Sequence, residues 1–196
     1  MTPNRILRLS VGIVGLLLLA LVLARGLERV MSPPRTAQPP AVQTATPAAV
    51  PHITATLYYV TQNADFLVPV RREVPLAEGP DEQGRQIVLE QLRPAAAPLL
   101  SAVPPGTTLR AFYVTERGEA FVDLSRDVSA AHPGGSITEL FTVYSIVNAV
   151  TANLPAISRV QILVDGKEVD TLAGHIDLRR PLPKNLSLVR PEGKTQ

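Results

Sequence analysis

Ser136-Ile-Thr-Glu-Leu-Phe-Thr-Val-Tyr-Ser-Ile-Val-Asn-Ala-Val-Thr151 runs without a proline or glycine, and after Pro155 comes Arg159-Val-Gln-Ile-Leu-Val164. In the first segment Ile137, Leu140, Phe141, Tyr144, Val147 and Thr151 recur at helical spacing and predict one apolar face. Ser136-Ile-Thr-Glu139 matches a capping box, in which the serine hydroxyl and the glutamate carboxylate each satisfy an orphan amide of the first turn. The second segment is short and rich in Val and Ile, the composition of a buried strand. A change of period from helix to strand across one proline predicts that helices and strands share a core.

The preceding chain extends the alternation. Ile53 to Val60 and Phe66 to Val74 read as two strands joined by a turn at Asn63-Ala-Asp65, with Pro69 confining the second strand to an edge. Asp81 is placed to cap a helix from Glu82 to about Leu92, which Pro94 and Pro98 end. Leu109 to Thr115 and Glu119 to Leu124 form a predicted hairpin around Arg117-Gly118. Beyond Val164, Asp165-Gly166 is a tight-turn pair, so Glu168 to Leu172 is expected to return as a short arm. The resulting order, β-β-α-β-β-α-β-β, predicts an α+β fold.

Before the folded part lies a different composition. Leu9 to Ala24 is uncharged, with Arg5 and Arg8 before it and Arg25 after it. This is the pattern of an export signal or signal-anchor. As a helix the run measures about 24 Å, a little short of a bilayer core, and flanking arginines that snorkel extend its reach. Ser32 to Pro51 is rich in Pro, Ala and Thr, a composition that forms a spacer and not a core. The expected organisation is a transmembrane segment at 1–29, a linker at 30–51, a domain at 52–180 and a tail at 181–196. The folded domain is then expected on the extracytoplasmic side of the cytoplasmic membrane, held there by a single pass.

The formal charge of +2 conceals a division. The stretch 52–180 carries eleven basic and fifteen acidic residues, and the positive excess lies at the two ends. Nucleic acid is therefore not an expected partner, because phosphate binding needs clustered cations on the domain itself. There is no cysteine. Disulfides, thiolate chemistry and a lipid-modified cysteine anchor are excluded with it.

Chemical signatures are sparse. His132 and His175 are the bases of the core, with His52 at its edge, and no Gly-x-Ser-x-Gly elbow accompanies them. Three dispersed histidines do not make a zinc site. Asp81-Glu82 and Asp123 with Asp127 read as caps and turns, although a glycosidase-type carboxylate pair depends on spatial separation that spacing does not reveal. Gly134-Gly-Ser136 at a helix start reads as a turn and cap ahead of an anion site. No catalytic residue, metal or cofactor is expected. Tyr58, Tyr59 and Tyr113 lie on predicted strands, and adjacent Tyr58 and Tyr59 must point to opposite faces. These three form the candidate interaction surface for a partner protein or glycan, although plain packing against Pro69 is the reading favoured for the pair.

Taken in order, these segments resemble the GerMN domain, a module first described in spore-germination proteins. The resemblance rests on Leu57-Tyr-Tyr59, Leu67 to Val74, the helix ending at Leu92 and Leu100-Ser-Ala-Val-Pro-Pro-Gly-Thr-Thr-Leu109. It continues through Ala120-Phe-Val-Asp-Leu-Ser125, Glu139 to Thr151, Val160-Gln-Ile-Leu-Val-Asp-Gly166 and Gly174-His-Ile-Asp-Leu178. Family members often carry Gly-Pro after the first helix, where this chain has Arg93-Pro94, and many are lipoproteins. The resemblance implies a sandwich related to ring-building motifs, with two helices on one face of a mostly antiparallel sheet. It implies no enzyme. The function expected from it is a non-enzymatic interaction module in envelope assembly or remodelling, sporulation and germination among its settings. A peptidoglycan- or glycan-binding module is the alternative, and an envelope hydrolase a more distant one.

Overall fold

The computed structural model describes residues 50–190. The apolar stretch at 9–24, the proline-rich spacer up to residue 49 and residues 191–196 lie outside the described residues, and the expected membrane-spanning helix lies there with them. Among the described residues no helix is long and apolar enough to cross a membrane.

The fold is mixed α and β. β1 (His52–Val60) and β2 (Leu67–Pro75) form an antiparallel hairpin, followed by α1 (Gly79–Gln91). A second hairpin, β3 (Leu109–Val114) and β4 (Glu119–Leu124), leads through the short α2 (Asp127–Ala130) to α3 (Ser136–Asn153). β5 (Arg159–Val164) then lies parallel to β4, and the two-residue strands β6 (Lys167–Glu168) and β7 (Leu182–Pro183) pair antiparallel with it. The arm expected over Glu168 to Leu172 is thus cut to β6, because the chain leaves the sheet to meet Glu139, as described below.

The single sheet of the expectation is two sheets, one of β1 and β2 and one of β3 to β7. The larger sheet lines one side of the helices, with Val122, Leu124, Val160 and Ile162 against Val143, Ile146, Val147 and Val150 of α3 and Val88 of α1. The β1–β2 hairpin packs from the other side, burying Ala55, Leu57, Tyr59 and Val74 with Ile87, Phe141 and Ala149. The helices form a middle layer with apolar clusters on both sides. For this reason α3 has no single apolar stripe: eleven of its residues, from Glu139 to Thr151, are buried, whereas Ile137 of the predicted face is 46% exposed. The inward polar side chains are satisfied locally, Ser145 donating to the Thr142 carbonyl and Thr151 to that of Val147.

Both predicted caps are replaced. α1 starts at Gly79 with Pro80 in its first turn, which suits a residue without an amide hydrogen. Asp81 instead accepts the Val114 N–H at 2.7 Å and ties the helix to the end of β3. α3 starts after Gly135, whose φ of +88° follows +83° at Gly134, so Ser136 is already the first helical residue and caps nothing. Two consecutive residues in this region of φ call for glycine.

β1 meets the helices with its edge. Gln91 accepts the Tyr58 N–H at 2.9 Å and donates to the Tyr58 carbonyl at 2.8 Å. Asn153 does the same for Thr56, at 2.8 Å in each direction. Leu100 closes the row by exchanging two backbone hydrogen bonds with Val60. A third side-chain amide, the buried Asn148, clasps the backbone of Asn185 and draws in the chain after β7. Three residues further along that segment, Leu188 accepts the N–H of Leu67, and Arg190 donates to the Leu67 carbonyl.

Candidate functional site

Of the three tyrosines expected to form an interaction surface, Tyr58 and Tyr59 are buried, 5% and 0% exposed. Their side chains do point to opposite faces, but a strand that presents its edge to two helices has both faces covered near that edge. Burial raises the pKa of both phenols; for Tyr59 the Arg72 guanidinium, 5.1 Å above the ring, opposes the rise. Neither ring is available to a partner. Tyr113 is different. It is 43% exposed, lies on the face of β3 away from the helices, and stacks on Phe121 of β4 with centroids 5.1 Å apart.

The sequence patterns do not reveal a concavity that the fold creates. A groove of about 230 Å³ opens beside the end of β1, where the 100–105 loop faces the start of α3. One wall is Leu100, Ala102, Val103, Pro104 and Pro105; the other is Pro133, Ile137 and Thr138, with Phe141 at the base. None of its lining residues is charged. Leu100 and Ile137 stand at its mouth, each nearly half exposed. The convergence of the 100–105 loop on α3 depends on the Val60–Leu100 bridge across forty residues.

The missed residue of most consequence is Glu139. Its carboxylate is fully buried on α3 and accepts the N–H groups of Leu172 at 2.8 Å and Ala173 at 2.9 Å on Oε1. The His175 N–H, at 2.9 Å, and ring Nδ1, at 3.2 Å, meet Oε2. Burial by itself would raise the Glu139 pKa, but the backbone donors of Ala173, His175, Leu172 and Ile176 together outweigh it and hold the pKa below the ordinary value. A charged anchor inside the domain thereby folds the 171–176 loop around itself. Asp123 plays a similar part nearby, accepting the Gly166 N–H at 2.7 Å and the Arg110 guanidinium at 3.2 Å, and so fixing the turn between β5 and β6.

The histidines are absorbed into this framework. His175 has its Nδ1 on Glu139. His132 accepts the Gly134 N–H on Nδ1 at 3.0 Å and faces Thr142 Oγ1 through Nε2 at 3.2 Å. Among the described residues the hydroxyl that meets a histidine is that of Thr142 on His132, but no carboxylate orients that ring, and the Thr142 oxygen is itself tied to the Ala102 carbonyl at 2.6 Å. Among the described residues no group of three or more His, Asp or Glu side chains is arranged to hold a metal ion.

A search of the curated proteins gives no match. Among solved structures, the tandem GerMN domains of the sporulation protein GerM from Bacillus subtilis align with 18% identity and a TM-score of 0.51, over 68% of this chain and 44% of that one. The first GerMN domain of the same protein aligns with 18% identity and a TM-score of 0.46, over 70% and 98%. A chain described as a candidate lipoprotein from Clostridium perfringens aligns with 24% identity and a TM-score of 0.49, over 69% and 90%. At such identities the tandem GerM structure speaks for the fold alone. The family model named Germane, described as sporulation and spore germination, matches residues 56–170. That match spans more than half of the chain, from the middle of β1 past β6, and the chain belongs to the GerMN domain family.

Proposed function

We propose that this chain is a membrane-tethered, extracytoplasmic interaction module that acts in cell-envelope assembly or remodelling by binding and not by turnover. The observation that carries the reading is the groove: it is apolar, uncharged and open at Leu100 and Ile137, while the histidines and the buried carboxylates are committed to holding backbone. Its matched occupant is an uncharged, apolar segment of a partner protein, since a charged segment would lose hydration there with nothing to replace it. GerMN is not a known enzyme family, which agrees with this reading. The tether and the side of the membrane rest on the 9–24 pattern and the proline-rich spacer, which would raise the effective concentration of the domain near the bilayer.

A photo-crosslinking residue at Ile137 in the intact chain, in cells, tests the reading. It is expected to capture one dominant envelope protein, and Ile137→Asp in a chain labelled instead at Leu100 is expected to abolish the adduct. An aspartate in the first turn of α3 favours the helix, so loss of the adduct would not reflect unfolding. Capture unchanged by Ile137→Asp refutes the groove as the contact. A reporter active only outside the cytoplasm, fused after Thr46, is expected to be active; an inactive fusion refutes the tether. The exposed Tyr113 ring favours a second reading, a wall-glycan contact, which pull-down with purified peptidoglycan by the wild type and not by Tyr113→Ala would support.

A further inference from the structure

His132 adjoins Pro133 of one groove wall and is linked through Thr142 to Ala102 of the other. Its Nδ1 accepts the Gly134 N–H, closing the loop that carries Pro133. An acceptor at Nδ1 has no proton there, so a neutral ring carries its hydrogen on Nε2, which faces Thr142 Oγ1. That hydroxyl has one hydrogen, and it goes to the Ala102 carbonyl, at 2.6 Å, ahead of Thr138 at 3.1 Å. The relay therefore runs from Gly134 through the imidazole and Thr142 to Ala102, from one wall to the other. It works in one protonation state. An imidazolium has donors at both nitrogens, and its Nδ1–H would confront the Gly134 N–H. Thr142 and Ala102 would keep their own bond, so the strain falls on the 132–135 loop alone.

We propose that His132 is a proton-operated tie across the groove: the neutral ring holds the Pro133 wall in place, and protonation releases that wall while the Ala102 wall stays bound to α3. Half-burial of the ring already disfavours its charge and sets the pKa below 6.5, with Glu139 of α3 pulling it up and His175 of the 171–176 loop pushing it down. Asp127 of α2 is engaged by Ser125, and the 100–105 loop brings no titratable group. The tie acts on the wall whatever occupies the groove, so it stands or falls apart from the proposed function.

The Gly134 amide reports on it directly. Of the twelve glycines only Gly106 and Gly134 follow proline. In the full chain labelled with ¹⁵N-glycine and carbonyl-¹³C-proline, NMR therefore isolates these two amides, with Gly106 as the internal control. The Gly134 resonance is expected to titrate with a midpoint below 6.5. Its protection from hydrogen exchange, corrected for intrinsic rate, is expected to fall about tenfold per pH unit below that midpoint, as for one linked proton. His132→Asn keeps an oxygen able to accept the Gly134 N–H as an Asx turn but cannot titrate, and is expected to abolish both effects. His175→Asn is expected to keep them. A wild-type Gly134 amide that does not respond between pH 7.5 and 4.5, or a response that survives His132→Asn, overturns the proposal.

Discussion

Replacing Glu139 by Gln alters almost no volume, yet it reverses the hydrogen-bonding sense of one carboxylate oxygen in a fully buried site. With the amide nitrogen at the Oε2 position, the His175 N–H meets another donor and is left unpaired, which costs about 1–3 kcal/mol. The Leu172 and Ala173 N–H groups keep an acceptor on Oε1 but lose its charge, and a bond to a charged group is worth roughly 1 kcal/mol more than a neutral one. Relief of the cost of burying the charge offsets part of this, leaving a net loss of about 2–4 kcal/mol at pH 7. The sign of the pH dependence follows from the depressed pKa of Glu139. Its stabilisation is complete above the unfolded carboxylate value of about 4.3 and is lost as pH falls through the lower folded value. Urea unfolding of wild type and Glu139→Gln, in a fragment starting at Ala48, should therefore show a wide gap at pH 7 that narrows below pH 4. Two curves that stay parallel down to pH 3, or a gap under 1 kcal/mol at pH 7, would refute the account of Glu139 as an ionised anchor.

Other substitutions test the packing around it. Gln91→Ala strips both partners from the Tyr58 backbone and should cost about 2–4 kcal/mol in the same unfolding assay, as two buried groups are left unsatisfied. At Gly84, a Cβ would run into the Phe112 ring, so Gly84→Ala should destabilise by about 1–3 kcal/mol despite a gain of roughly 1 kcal/mol in helix propensity. Phe141→Ala should cost roughly 3–5 kcal/mol, whereas Ser136→Ala should stay within about 0.5 kcal/mol, since Ser136 makes no cap. An effect near 1 kcal/mol at Ser136 would restore the cap that the structure replaces.

The readable parts of this fold are those decided by near neighbours. Thr-, Tyr- and Val-rich alternation located β1, Pro69 did fall on an edge strand, and Asp165-Gly166 did make the turn between β5 and β6. Ser136 and Glu139 show where local reading fails. Their spacing fits a capping box, but the carboxylate is claimed by amides 33 to 36 residues further on, and nothing in a four-residue window discloses that competition. A helix with apolar clusters on both sides likewise defeats a one-face reading, which is why Ile137 was expected inside and stands at the mouth of the groove. Tyr58 and Tyr59 left the partner surface for the core, because alternation tells which face a residue takes but not that an edge-on strand loses both faces. The groove itself was invisible for a related reason: its walls come from segments about thirty residues apart, joined only once α3 is in place.

The amide clasps on β1 imitate a missing neighbour strand. Gln91 and Asn153 each supply one donor and one acceptor at alternate residues, as an adjacent backbone would, and Leu100 completes the imitation with true main chain. An edge occupied in this way offers no template along Thr56 to Val60 for a foreign strand, so the usual route from an exposed hairpin to aggregation is shut there without a charge or a bulge. The same device works as a ruler. Sliding β1 by one residue would turn the groups of Leu57 and Tyr59, which belong to β2, toward side chains that cannot follow, and would reverse every side chain of the strand. Two neutral amides thus select one register out of several, and because they carry no charge the selection is indifferent to salt and to acid.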